Sequence, residues 1–220
     1  MIKMNIVFAY PTGLNPQKGG VERITDIIAK ILLKRGYTIF YLNWKREQDN
    51  YEYPVPVIDL PSSNLEDPNN LEVYNRFLKE NRIDVIINQH GLYEGTYFLS
   101  QVKVQNVKII SVLHSDPFGY YNHLFADLMT LRDSSIKEKV KRVARFFLYR
   151  KVKKIIHRSL VNHYTFIQEH PQYVCLLSES YKERLEEYCD LPDNYFISIP
   201  NPNTYENIEI IPHKEPILLF

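Results

Sequence analysis

The sequence predicts an α/β domain with a parallel sheet covered by helices on both faces. Three observations predict it: short apolar runs of strand length, helical periodicities between them, and polar or glycine-rich residues directly after several of the runs. Strands that alternate with helices need crossover connections, and these crossovers cover the faces of a parallel sheet. Ligands of such sheets bind outside the carboxyl ends of the strands, so the loops there hold the candidate site.

The elements follow in order. Asn5 to Tyr10 is a buried first strand. A helix starts near Gly20, with Val21, Ile24, Ile28, Ile31 and Leu32 three or four residues apart. Lys34 and Arg35 suit its last turn and Gly36 the position past its end. Tyr37 to Leu42 and Val55 to Leu60 read as strands two and three, Leu71 to Lys79 as a helix, and Ile83 to Asn88 as a strand ending at Gln89-His90-Gly91. Val107 to Leu113 is a strand ending at His114-Ser115-Asp116-Pro117. A helical region broken about twice is expected from Tyr121 to Glu169, then a strand over Tyr173 to Leu177. Ser180 to Glu183 has the form of a capping box, and Tyr195 to Ile199 is a last strand. The proline-rich stretch from Pro200 to Pro216 reads as a linker, and Ile217 to Phe220 as the first strand of a further domain. The expected division is therefore a domain over 1–200 and, over 201–220, a linker with the start of a truncated second domain.

Composition narrows the function classes. The chain is 45% hydrophobic and 24% charged, ordinary for a soluble globular protein, and its 220 residues can bury a substantial core. The net charge of +1 conceals an uneven distribution: the segment 137–158 holds ten basic residues against Glu138 alone, on an otherwise acidic body. No RNA- or DNA-reading motif accompanies that charge, so nucleic acid is not an expected partner. Cys175 and Cys189 lack metal-ligand spacing and suit a reducing, cytoplasmic compartment. Met1 to Tyr10 is too short for a signal peptide, and no apolar run is long enough to span a bilayer.

The first loop is the most informative. Ten residues, Pro11 to Gly20, separate strand from helix, longer than the few such a connection needs. Gly19 and Gly20 place bare backbone amides at the helix N-terminus, where the dipole favours an anion such as phosphate, and Lys18 adds a positive charge. A flexible turn with a cap is the plainer reading of the same residues. Neither Gly-x-Gly-x-x-Gly nor Gly-Lys-Ser/Thr is present.

Gly19-Gly20-Val21-Glu22-Arg23 after a strand and a long loop resembles the opening of family 4 glycosyltransferases. Later segments fall in that family's order: Ile83-Asp84-Val85-Ile86-Ile87, Ser111-Val112-Leu113-His114-Ser115, Leu176-Leu177-Ser178-Glu179-Ser180 and Ile199-Pro200-Asn201-Pro202. The resemblance implies the N-terminal half of a GT-B fold, in which two Rossmann-like domains face each other across a cleft. It further implies retaining, metal-independent transfer of a sugar from a nucleotide-sugar donor to a glycan or lipid-linked acceptor, with no cofactor. This half would supply the acceptor side and be nearly inactive alone. The family's paired glutamates belong to the other half and are not in this sequence.

Carried over by position, Lys18, Gly19 and Gly20 would meet the donor pyrophosphate, and His114 matches the family's site histidine. A histidine there can donate to a sugar hydroxyl or stabilise developing charge, and it need not act as a base. Asn88, Gln89 and His90 are candidates for the acceptor pocket, though polar strand ends also form turns. Asp116 is a candidate acceptor-side carboxylate or a plain turn residue before Pro117. Ser178 and Glu179 read equally as helix caps, and Glu22 as a complement to the helix dipole.

Along the basic segment, Ile136, Val140, Val143 and Phe147, then Ala144, Leu148, Val152 and Ile156, fall at helical spacing. The simpler expectation packs that apolar face on the core with the charges solvated. The alternative attaches it to an anionic membrane surface, at the inner face of the membrane, or to an acidic lipid-linked acceptor. Two other functions compete with sugar transfer. A nicotinamide enzyme lacks support, because the glycine fingerprint is missing and the second strand ends Leu42-Asn43-Trp44 without an acidic residue. A non-catalytic carbohydrate- or partner-binding domain stays open.

Overall fold

The computed structural model describes residues 3–45, 50–91, 94–119, 121–123, 136–170 and 172–201. The expected linker beyond Asn201 and the strand over 217–220 lie outside these residues. Seven parallel strands form one sheet in the order β3-β2-β1-β4-β5-β6-β7. They are β1 (Asn5–Tyr10), β2 (Thr38–Asn43), β3 (Val57–Asp59), β4 (Val85–Asn88), β5 (Lys108–Leu113), β6 (Tyr173–Leu176) and β7 (Phe196–Ser198). The helices are α1 (Gly20–Lys34), α2 (Pro68–Glu80), α3 (Glu94–Leu99), α4 (Ile136–Glu169) and α5 (Lys182–Glu186). The strand order reverses at β1, which pairs with β2 on one side and β4 on the other, and puts a crevice at its carboxyl end.

The pleat sorts each strand's residues between two layers. Ile6 and Phe8 of β1 face α1 through Ala29, Ile28 and Leu32. Val7 and Ala9 face the other way, into a cluster with Tyr74, Phe77 and Leu78 of α2 and Phe98 and Leu99 of α3. Leu113, Val174 and Leu176 continue that second layer under Leu160, Tyr164 and Ile167 of α4. Over β5 to β7 the α1 side leaves an apolar trough of about 190 Å³, lined by Ile24, Ile28, Ile110, Val112, Cys175 and Ile199 among others.

Local chemistry accounts for most boundaries. Gly36, at φ +85°, ends α1 in a backbone conformation that L side chains rarely adopt. Helix α2 starts three residues before the expected Leu71, because Asp67 accepts from the Asn69 N–H and Pro68 occupies the first turn. The expected capping box at Ser180 is displaced: Ser178 caps a short 3₁₀ turn by accepting from Ser180 N–H, and α5 follows without a side-chain cap. Helix α3 escapes sequence periodicity because it has only six residues.

The largest departure concerns α4. It runs unbroken over Ile136–Glu169, and residues 124–135 of the expected broken helical region lie outside the described residues. At 1.5 Å per residue it is about 51 Å long, whereas six-residue strands span roughly 20 Å. Only its second half therefore lies on the sheet. Val140, Val143, Phe147 and Leu148 of the first half are exposed, and the expected packing on the core is met only toward the end of that face, by Ile156.

Candidate functional site

The carboxyl ends of β1, β4 and β5 and the start of α1 enclose a cavity of about 140 Å³, lined by Tyr10, Val21, Gln89, His90, His114 and Ser115 among others. Alternation along β4 decides which predicted residues enter it. Asn88 points to the α3 side, where it is fully buried; its amide donates to Thr96 Oγ1 (3.2 Å) and Ser111 Oγ (3.1 Å), and its oxygen accepts from His90 N–H. Ser111 donates onward to Gln172. Asn88 thus braces the strand ends and does not line the cavity. Gln89, one residue on, turns to the opposite side and does.

Gln89 Oε1 lies 2.6 Å from His114 Nε2. With the amide oxygen toward the ring, Nε2–H donates and Nδ1 is the bare nitrogen. Nδ1 is buried without a hydrogen-bond partner among the described residues. Burial lowers the His114 pKa from 6.5, so the ring is neutral at physiological pH. Nε2 is therefore the nitrogen able to exchange partners with a ligand hydroxyl. Tyr10 and Trp44 meet the His90 ring edge-on at 6.4 and 6.3 Å; Tyr10 lines the cavity beside it, while Trp44 backs the ring from the core. Partial burial and the neighbouring Lys45 charge lower the His90 pKa, with Glu94 opposing.

The N-terminus of α1 borders this cavity through Val21. Gly19 is the N-cap in extended conformation, without a side-chain capping bond, and Gly20 faces open space. Lys18 is exposed next to them, and its N–H closes a turn on the Asn15 carbonyl. The Glu22 carboxylate folds back against Gly19, at the place where the helix dipole favours an anion. Asp116 stands outside the cavity lining: it accepts from Phe118 N–H at 2.9 Å and approaches Arg184 at 3.5 Å, which makes it a turn residue. No cluster of three or more metal-ligating side chains occurs among the described residues.

The structure thus brings Gln89, His90 and His114 together with the Gly19–Gly20 end of α1, and sets Asn88 and Asp116 apart. Sequence reasoning passed over Tyr10 and Val21, whose signal was only their place at the end of the first strand and in the first helical turn. It also gave no role to Gly91. A Cβ there would fall 2.5 Å from the Val112 carbonyl oxygen, so the turn after β4 can close on β5 only with glycine.

A doubly covered parallel sheet whose strand order reverses at β1 defines a Rossmann-like domain. The sequence model described as Glycosyltransferase Family 4 matches residues 18–202, and the chain belongs to that family. Comparison with curated proteins finds no match. Among solved structures, it is similar to a glycosyltransferase from Rickettsia africae ESF-5 (16% identity, TM-score 0.52, covering 90% of this chain and 43% of that one). It also aligns with WaaG, a glycosyltransferase involved in lipopolysaccharide biosynthesis (15% identity, TM-score 0.48, covering 91% and 46%). The chain spans less than half the length of either structure.

Proposed function

We propose that the protein transfers a sugar, in the first instance a hexose, from a nucleotide-sugar to a glycan or lipid-linked acceptor in polysaccharide or glycolipid synthesis. The transfer retains anomeric configuration, needs no metal, and takes its acceptor side from this domain. The observation that carries this reading is the Gln89–His114 pair beside the start of α1. The amides of Gly19 and Gly20, with Lys18, suit the donor's phosphates. His114, neutral, donates from Nε2 to a sugar hydroxyl once Gln89 yields it. The acceptor oxygen forms its bond to the anomeric carbon as the carbon–phosphate oxygen bond breaks, and the departing phosphate takes the acceptor's proton. Tyr10 and His90 line the acceptor side.

Transfer of labelled sugar from a panel of nucleotide-sugars to oligosaccharide and membrane-lipid acceptors by the full gene product tests this. His114→Ala should lower kcat by about a hundredfold or more, the loss typical of one transition-state donor, and EDTA should leave the rate unchanged. Undiminished turnover in His114→Ala would remove His114 from the reaction, and a product of inverted configuration would remove the retaining assignment.

One observation favours a second reading, a non-catalytic carbohydrate- or partner-binding domain: the Glu22 carboxylate folds against Gly19, at the helix end proposed for the donor phosphates. Glycan binding with no transfer from any donor would support it.

The first half of α4 supports attachment to an anionic membrane surface from the cytoplasmic side. It exposes Phe146, Phe147 and Leu148 near Lys141, Arg150 and Lys151. No described helix is long and apolar enough to cross a membrane. Co-sedimentation with anionic vesicles should fall when Lys151, Lys153 and Lys154 are changed to Glu, and unchanged binding would remove this contact.

A further inference from the structure

We infer that Trp44, buried behind the cavity and absent from its lining, is a positioning residue that fixes the His90 ring against Tyr10, so that His90 presents its nitrogens to an acceptor hydroxyl. The acceptor consequence rests on the sugar-transfer reading of the cavity; the positioning itself does not.

Three elements meet at this indole. Trp44 follows β2 directly, and its backbone N–H donates to the Pro11 carbonyl at 3.2 Å, which ties it to the loop after β1. Its side chain is buried in the layer that β1 and β2 share with α2 and α3. The ring rests on the first turn of α3: a Cβ at Gly95 would fall 3.2 Å from Cη2 and 3.3 Å from Cζ2 of the indole. Core packing and helix backbone together hold the indole in place.

His90 is placed differently. It is exposed and lines the cavity. Asn88 Oδ1 accepts from its N–H at 3.0 Å, which fixes the backbone and leaves the side-chain torsions to the neighbours. Those neighbours are two rings: Trp44 at 6.3 Å between centroids and 70° between planes, and Tyr10 at 6.4 Å and 75°. Both separations fall in the range of edge-on aromatic pairs. No hydrogen bond among the described residues takes up the ring nitrogens of His90. An exposed imidazole without such neighbours exchanges among staggered rotamers. Two ring contacts, one of them to a buried indole, hold this one at the cavity while its nitrogens stay available to a ligand. Partial burial and the Lys45 charge lower its pKa from 6.5, with Glu94 opposing, so at physiological pH the imidazole offers one donor and one acceptor. That pair suits a sugar hydroxyl, which itself donates and accepts.

NMR of the chain as it stands tests the positioning, with Trp44→Leu and Trp44→Phe beside it. The parent should give nuclear Overhauser contacts from the His90 ring protons to both Trp44 and Tyr10. In folded Trp44→Leu the His90 ring is released, and its contact to Tyr10 should fall by about half or more as rotamers average. Trp44→Phe, which keeps an aromatic ring, should retain most of it. A folded Trp44→Leu with the His90–Tyr10 contact intact overturns the inference and leaves Trp44 as core filling. Should Trp44→Leu fail to fold, the parent decides through fluorescence, since Trp44 is the only tryptophan of the chain. A charged imidazole against an indole quenches its emission, so acid should dim Trp44 in step with the His90 titration, below pH 6.5, and His90→Gln should abolish the step. Emission that ignores the His90 titration overturns the inference. In the full gene product, Trp44→Leu should raise the acceptor KM by about three- to tenfold, the scale of one neutral hydrogen bond, with kcat nearly unchanged and Trp44→Phe close to the parent. An unchanged acceptor KM removes the acceptor consequence. The NMR and fluorescence readouts need no substrate, so their failure is distinct from failure of the sugar-transfer reading, which shows as no transfer by the parent.

Discussion

Gln89 Oε1 lies 2.6 Å from His114 Nε2, joining the carboxyl ends of two adjacent strands across 25 positions of sequence. The contact exists because β4 and β5 run parallel in a register that pairs Asn88 with Ser111, so Gln89 and His114 project to the same side of the sheet. In the proposed sugar-transfer reading the chemistry of the cleft turns on this pair, and the residues around it give distinct expectations.

Acid should destabilise the fold through its buried histidines. Burial holds His163 at about 4, against 6.5 for a free ring, so between those values the unfolded chain binds a proton that the folded chain does not. Stability is full above 6.5 and falls as pH drops toward 4, by about 3 kcal/mol from this residue alone. The lowered values of His114 and His90 act in the same direction. Urea unfolding at pH 7 and pH 4.5 should show the loss, and His163→Phe should flatten part of the slope.

Gly91→Ala should cost roughly 1–3 kcal/mol, because the Val112 carbonyl that its Cβ would meet belongs to a central strand and cannot swing aside. Thermal melts measure it. A melting temperature equal to the parent's would mean that the turn relaxes freely around the added methyl and is not held against β5.

Asn88→Ala should lower stability by about 1–3 kcal/mol, since Thr96 and Ser111 lose a buried partner. Asp116→Asn should change it little: the Phe118 N–H keeps an acceptor, and the Arg184 contact is long and partly exposed. Chemical denaturation of the two variants side by side measures the contrast.

Glu22→Gln removes a negative charge from the start of α1. Affinity for a nucleoside diphosphate should rise by roughly two- to fivefold, the scale of one charge at a helix terminus. Calorimetric titration reads it, and an unchanged or weaker affinity would place the phosphates elsewhere.

The sheet and its order of elements were legible because each central strand is a run of apolar residues with a turn behind it, as Asn5 to Tyr10 and Lys108 to Leu113 show. The start of α2 was less so, since its signal is the Asp67–Pro68 cap and not periodicity. In the site, His114 and Gln89 could be named from their place at strand ends. Their partnership could not, because it depends on register between strands. Asn88 shows the converse: the same local pattern as Gln89, but the pleat sends it to the other face. The apolar spacing from Ile136 to Ile156 suggested core packing; Ile156 does pack on the core, and Val140, Val143, Phe147 and Leu148 stay exposed.

Whether the cleft beside the Gln89–His114 pair takes a nucleotide-sugar is tested most directly by titrating the isotopically labelled chain with such donors and following each residue by NMR. Shift changes should gather at Gly19, Gly20, Gln89, His90 and His114 and vanish in His114→Ala. Changes confined to other surfaces, or none at millimolar donor, would contradict the assignment of this cleft to the donor and acceptor.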